Sequence, residues 1–255
     1  MFRLDGKTAF VSAARGHLGQ AMVRALGGAG AHVIANGRDR VALDAHVAAL
    51  GAEGLSVEAA CFDVTDIPAL TAFLSARPRL DILVNNAVTM QVKGFESLLA
   101  DDFARTYQSA VTVAFEAARA ALPALKAAVA AGGDASIINI ASMYGSVAPD
   151  GRLYADRAQQ SPFHYGPAKA GLIQLTRHLA AEFGPAGVRV NALAPGPFPA
   201  RIADAQFATR LAARTMLGRL GTPEEIGGPL LFLAAPASRY MTGALLPVDG
   251  GWTAF

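Results

Sequence analysis

The chain has 255 residues, 53% of them hydrophobic and 16% charged, with a net charge of +2 at neutral pH. Such a composition can fill a sizeable core and excludes a disordered chain. It carries no basic block that would point to nucleic acid or an anionic membrane surface, and a single cysteine, Cys61, excludes an internal disulfide and a thiolate metal cluster, so no metal is expected.

Taken in chain order, the opening MFRLDGKTAF has charges where a signal peptide needs an apolar core, and no stretch of about 18 apolar residues follows. A cytoplasmic protein with no membrane partner is the expectation. Strands are predicted at TAFVS (8–12), AHVIAN (31–36), SVEAACF (56–62), DILVN (81–85), ASIINIAS (135–142), VRVNALA (188–194) and ALLPVD (244–249). Helices are predicted near 17–29, 40–50, 66–76, 101–131, 163–184, 203–214 and 223–235. Several strands are continuous apolar runs, the mark of a parallel sheet covered on both faces. Strands separated by helices imply an α/β fold, a Rossmann-like doubly wound seven-stranded parallel sheet with helices on both faces. No repeat or linker divides the chain, so one domain over 1–255 is expected.

In such a sheet the ligand crevice lies beyond the carboxyl ends of the strands. Polar residues gather there: Ser12 to Gly19, Asn36-Gly37-Arg38, Asp63, Asn85-Asn86, Ser142 and Pro195-Gly196. The first turn, VSAARGHLGQAM, has Gly16 and Gly19 at the mouth of a helix whose free N–H groups favour an anion. Ala13 stands where a nucleotide-binding turn usually opens with glycine, so a plain strand-to-helix corner is an equal reading of these residues alone. Tyr165 and Lys169 in YGPAKAG are four apart on a helix and share a face. A cation one turn away favours the phenolate and moves a tyrosine toward the range where it can act as an acid–base catalyst. Ser142 is placed to hold a substrate oxygen against that tyrosine, or simply to cap the strand end.

Together these segments resemble the short-chain dehydrogenase/reductase family, in its short single-domain branch, over nearly the whole chain and in order. VSAARGHLG is similar to the family's T-G-x-x-x-G-x-G turn, FDVTD to its adenine site and VNNAV to its N-N-A-G. IINIAS carries the serine, YGPAK the Tyr/Lys pair, VNALAPGPF the Pro-Gly turn and MTGALLPVDGGW the last strand and tail. The resemblance implies a dinucleotide cradle made by Ser12, Ala13, Arg15, Gly16, His17, Leu18 and Gly19. It implies Asp63 and Val64 beside adenine, Asn86 and Ala87 on the ribose side, and Pro195, Gly196 and Phe198 at the nicotinamide. Catalysis would fall to Ser142, Tyr165 and Lys169, with Lys169 also on the nicotinamide ribose.

The implied activity is NAD(P)-dependent interconversion of a secondary alcohol and a ketone by hydride transfer, with a polyol, sugar acid or 3-oxoacyl-like ketone as substrate. NADP(H) is expected over NAD, because Asn36 puts no carboxylate against a 2′-phosphate and Arg38 and Arg15 stand nearby. A homo-oligomer, a tetramer, is also implied. Two alternatives stay open: a catalytically silent nucleotide-binding regulator, and an epimerase or dehydratase that retains its cofactor.

Three departures from the family pattern bear on the chemistry. The family's relay asparagine falls at Ala110 or Ser109, and Val88 replaces a glycine. The stretch VAPDGRLYADRAQQSP lengthens the segment between Ser142 and Tyr165, bringing Arg152, Tyr154, Asp156 and Arg157. It is expected to be either a solvated loop or a polar pocket wall. RIADAQFATRLAARTM resembles the family's substrate lid, with Arg201, Arg210 and Arg214 as anion contacts, or is a surface helix.

Overall fold

A computed structural model describes residues 1–200 and 204–254. Among these, seven strands form one parallel sheet: β1 Thr8–Val11, β2 His32–Gly37, β3 Val57–Cys61, β4 Ile82–Asn85, β5 Ala135–Ile140, β6 Val188–Pro195 and β7 Leu245–Val248. Their order is β3-β2-β1-β4-β5-β6-β7, every pair parallel. The order reverses between β1 and β4, which makes their carboxyl ends the place where a crevice opens.

The helices are α1 His17–Gly28, α2 Arg40–Ala52, α3 Ile67–Ser75, α4 Ala100–Tyr107, α5 Val113–Ala130, α6 Tyr165–Phe183, α7 Ala205–Ala213 and α8 Gly227–Ala234. Alternate residues of β1 serve opposite faces, as strand geometry requires. Ala9 and Val11 pack with Met22, Leu26 and Leu230 of α1 and α8, while Phe10 packs with Leu70 and Leu74 of α3 and Ala121 of α5. Asp39 and Asp66 cap α2 and α3 by accepting from the backbone N–H of Ala42 and Ala69.

The strand and helix order follows the sequence expectation, with three local differences. The run 135–142 stops as a strand at Ile140, because the Ser142 side chain accepts from Tyr144 N and starts a 3₁₀ turn over Met143–Gly145. The predicted helix 101–131 is divided between α4 and α5 by a π-helical turn at Gln108–Thr112. The last predicted helix opens as a 3₁₀ turn, Pro223–Ile226, before α8.

At the amino ends of the strands, buried charges are paired. Asp81 receives Lys7, Arg79 and the Thr8 backbone N–H, and Arg189 spans Asp134, Ser238 and the Leu233 carbonyl. Pairing of this kind offsets the desolvation of each charge and leaves this edge a structural base. Among the described residues no helix is long and apolar enough to cross a membrane.

Candidate active site

The turn after β1 is built around an absent glycine. Ala13 has φ +50°, the only non-glycine residue with positive φ among those described. Its carbonyl holds it there by accepting from Gly16 N at 2.9 Å and Asn86 Nδ2 at 3.2 Å. At Gly19 any Cβ would run into the Ala13 and Ala14 carbonyls, so helix α1 reaches the turn only because that position is glycine. A non-glycine residue in this region costs of order 1–3 kcal/mol, partly offset by the ~0.5–1 kcal/mol that glycine adds to unfolded-chain freedom. Ala13→Gly should therefore stabilise the fold by ~1 kcal/mol and raise Tm by ~2–4 °C. A thermal melt showing no gain would mean the turn carries no strain.

Ser12 lies buried beneath this turn. Its hydroxyl donates to Val84 O and accepts from the backbone N–H of Asn86 and Ala87 at 2.9 and 3.0 Å. The Asn86 amide donates to Ser12 O and Ala13 O. The β1 and β4 ends are thus one unit, with the Asn86 side chain bracing the turn. Above it opens a cavity of ≈ 340 Å³ bordered by Ala13, Arg15, Gly16, Arg38, Asp63, Val64, Ala87 and Ser109.

Two side chains of the predicted cradle segment face elsewhere, so these residues can serve a cofactor through their backbone alone. His17, the first residue of α1, borders a separate groove with Gln20, Arg24 and Glu224, and its Nε2 is buried with no hydrogen-bond partner among the described residues. Leu18 packs against the core. Only their backbone N–H groups, in the first turn of α1, are left for an anion.

At the end of β2, the buried Asn36 amide donates to the Ala60 and Phe62 carbonyls at 2.9 and 3.0 Å, stitching β2 to β3. Its amide is a structural clasp, and a carboxylate here would face two carbonyl oxygens. Arg38 is exposed and reaches Asp63 Oδ2 at 3.4 Å. Burial pulls the Asp63 carboxyl upward, but bonds from the Thr65 backbone, the Thr65 hydroxyl and Arg38 outweigh it and hold the group below its ordinary value.

Across the sheet, Tyr165 opens α6 and Lys169 follows one turn later. The Ser142 hydroxyl neighbours the Tyr165 phenol and favours its ionised form. Lys169 is buried, donates to Ile140 O at 2.6 Å, and places its ammonium 5.7 Å from the centre of the Tyr165 ring. Burial pushes the Lys169 amine down to about 8. Burial likewise raises the Tyr165 phenol above its ordinary value, with Ser142 opposing only in part. The expectation that the lysine brings the tyrosine down is therefore corrected for the chain by itself. Both groups are desolvated, and desolvation disfavours phenolate and ammonium alike.

Below this pair lies a polar chain that sequence reasoning overlooked. Asn85 Nδ2 donates to Asn139 Oδ1, Asn139 Nδ2 to Thr176 Oγ1, and Thr176 Oγ1 to Leu172 O, each at 2.8–2.9 Å. It fastens β4, β5 and α6 together. The signal was an asparagine inside the apolar run IINI. His164, also overlooked, is buried between Thr106 Oγ1 and Gln91 O, and because a carbonyl only accepts, it is Nε2–H that donates to Gln91 O.

In the π-helical turn, Ser109 accepts from Thr89 N at 2.9 Å and donates to Thr106 O, whereas Ala110 packs with Ala114, Ala168 and Leu172. Ser109, not Ala110, borders the cavity. Pro195 ends β6, and Gly196 N donates to Val248 O at 2.9 Å. The Phe198 ring lies over Gly221 in a recess shared with Leu217 and Val248.

The long segment before α6 is folded onto α7. Arg210 Nε donates to Leu153 O at 2.7 Å, Tyr154 stacks with Phe207 at 5.1 Å, and the Tyr144 and Tyr154 hydroxyls meet at 3.3 Å. Arg152 is exposed and paired with Asp150, Arg157 packs over Gly151, Asp156 caps its own turn, and Arg214 lies over the Trp252 ring. Arg201 lies outside the described residues.

This arrangement has counterparts elsewhere. A family model described as enoyl-(acyl carrier protein) reductase matches residues 13–253. The chain is 37% identical to the galactitol 2-dehydrogenase (L-tagatose-forming) of Cereibacter sphaeroides, over 99% of this chain and 97% of that one. It is 35% identical to the rhamnolipids biosynthesis 3-oxoacyl-acyl-carrier-protein reductase of Pseudomonas aeruginosa, over 98% of each. A solved gluconate 5-dehydrogenase from Burkholderia cenocepacia, in complex with NADP and tartrate, superposes with a TM-score of 0.86 at 30% identity, covering 100% of this chain and 98% of that one. Sheet order, glycine turn and the Ser/Tyr/Lys grouping thus agree with matches that run nearly end to end, and the chain belongs to the short-chain dehydrogenase/reductase family.

Proposed function

We propose that this single-domain protein is an NADP(H)-preferring oxidoreductase that interconverts a secondary alcohol and a ketone. The observation that carries the reading is the grouping of Ser142 and Tyr165 with buried Lys169 one turn on, at the carboxyl edge of the sheet. The cofactor fits the turn after β1: Gly19 keeps side-chain bulk away from the Ala13 carbonyl, and the cavity runs from that turn to Arg38 and Asp63. Gly16, Arg15 and the α1 N-terminus would hold the phosphates. Asp63 and Val64 would flank adenine, Ala87 the ribose, and Pro195 and Gly196 the nicotinamide side.

When bound, the nicotinamide supplies or accepts the hydride. The chain's own part is proton handling at the substrate oxygen. In the reductive direction the Tyr165 hydroxyl donates its proton to the carbonyl oxygen, while Ser142 holds that oxygen by a hydrogen bond. Lys169, charged below about pH 8, favours the phenolate left behind and would bond the nicotinamide ribose. With the relay asparagine absent, Ser109 takes over the anchoring at that turn.

The dehydrogenase names of the relatives and the NADP complex support a polyol or sugar acid as substrate, with a 3-oxoacyl ketone as the second reading. The one cysteine fits a cytoplasmic setting, and exposed Phe103, Tyr107 and Phe115 on α4 and α5 fit a homotetramer.

The test compares NADP and NAD with a panel of polyols, sugar acids and ketones, in wild type and in Arg38→Asp. A guanidinium–phosphate contact is charge-assisted, and exposure weakens it, so wild type should prefer NADP by ~10–100-fold in kcat/KM. Arg38→Asp should move the preference toward NAD. A wild-type preference for NAD, or no shift in the variant, defeats the cofactor assignment. A purified protein that retains cofactor and oxidises no alcohol favours the epimerase or dehydratase reading.

A further inference from the structure

We propose that the Tyr144 and Tyr154 hydroxyls together read a hydroxyl group on the carbon next to the reacting one, which makes vicinal diols and their hydroxyketones the substrate class of this site. The inference rests on the alcohol–ketone reading above and narrows it.

Tyr144 leaves the same turn that presents Ser142, since its backbone N–H donates to Ser142 Oγ at 3.2 Å. Tyr154 follows the short turn Gly151–Leu153 and is held from the other side by Phe207 of α7. The pair therefore lies at the carboxyl edge, between the Ser142 turn and α7, where a substrate of an α/β sheet is expected. The two phenol oxygens are 3.3 Å apart, long against the usual ~2.7–2.8 Å of an O–H···O bond. Among the described residues neither has another hydrogen-bond partner.

Two phenols that share one hydrogen bond keep one O–H donor and acceptor capacity unspent. A hydroxyl group both donates and accepts, so it matches that remainder, and a methylene matches neither half. Among the described residues the surroundings are apolar: Met143, Leu211 and Trp252 are buried there, with Leu153 and Phe207 packed against them. A carboxylate is not what this spot is built to read. Of the nearby cations among the described residues, Arg152 turns to Asp150, Arg210 to Leu153 O and Asp204, and Arg214 lies over the Trp252 ring.

Oxidation with NADP is measured for vicinal cyclohexanediol against cyclohexanol, and for the internal butanediol against secondary butanol. The variants are Tyr144→Phe and Tyr154→Phe, which keep both rings and remove one hydroxyl each from different segments. Polar groups left unpaired by an incomplete substrate give the discrimination, and partial exposure moderates it, so wild type should favour each diol by at least ~10-fold in kcat/KM. Each variant should bring that ratio close to one. A merely structural tyrosine would lower both substrates together and leave the ratio in place, which overturns the inference. If wild type oxidises both alcohols equally, the inference falls and the alcohol–ketone reading stands. If it oxidises none of the four, both fall.

Discussion

Tyr165→Phe is expected to lower kcat by at least ~10²-fold, the usual contribution of a positioned general acid–base group, while NADPH affinity stays near wild type. The substitution keeps the ring at the head of α6 and removes only the oxygen that meets Ser142. Direction matters as well. A phenol raised above its ordinary value by burial is protonated at neutral pH, so it serves ketone reduction as it stands. Alcohol oxidation needs that proton removed, and its rate should climb with pH where the reductive rate does not. Single-turnover rates in both directions, with NADPH binding followed by fluorescence, test this. A Phe variant retaining most of its rate would remove Tyr165 from the chemistry.

Lys169→Met should abolish most turnover and, at neutral pH, make the protein more stable. A buried ammonium whose one hydrogen-bond partner among the described residues is a neutral carbonyl is disfavoured by the fold, which takes its pKa from 10.5 to about 8. The lowering corresponds to ~3 kcal/mol of cost. Because the folded value is the lower one, the cost is fully present below about pH 8 and gone above about pH 10.5. Methionine avoids it at every pH but leaves Ile140 O without its donor, at ~1–3 kcal/mol. The variant should therefore melt higher than wild type at pH 7, by up to ~2 kcal/mol of stability, and lower than wild type above pH 10, where only the lost hydrogen bond remains. Melting curves that do not cross between these limits would show that Lys169 is better solvated than its burial implies. This is a site where function is held against stability.

Much of the fold was legible because local signals agreed with the global pattern. Apolar runs such as DILVN and VRVNALA could only be strands covered on both faces, and the helices between them left a parallel sheet. Ser142, Tyr165 and Lys169 were legible because strand ends and one helical turn fix where they point. The remainder depended on partners distant in sequence. Asn36 looked like a cofactor-choice residue, yet its amide is consumed by the carbonyls of Ala60 and Phe62 on the next strand. His17 occupied a cradle position in the turn, but it borders another groove. Nothing in the periodicity of 101–131 announced the π-helical turn, since one extra residue in a helix leaves the apolar pattern almost intact. The order within VAPDGRLYADRAQQSP came from α7, more than 40 residues downstream.

The bond from Arg210 to the Leu153 carbonyl, together with the Tyr154–Phe207 stack, joins two segments that lie 57 residues apart. Neither segment can drift alone. A change that moves Leu153 strands a guanidinium N–H on the other side, and a change at Phe207 frees the Tyr154 ring. Variation that broadens substrate scope must therefore arrive in both segments together, and a library randomised over one of them mostly samples a broken latch.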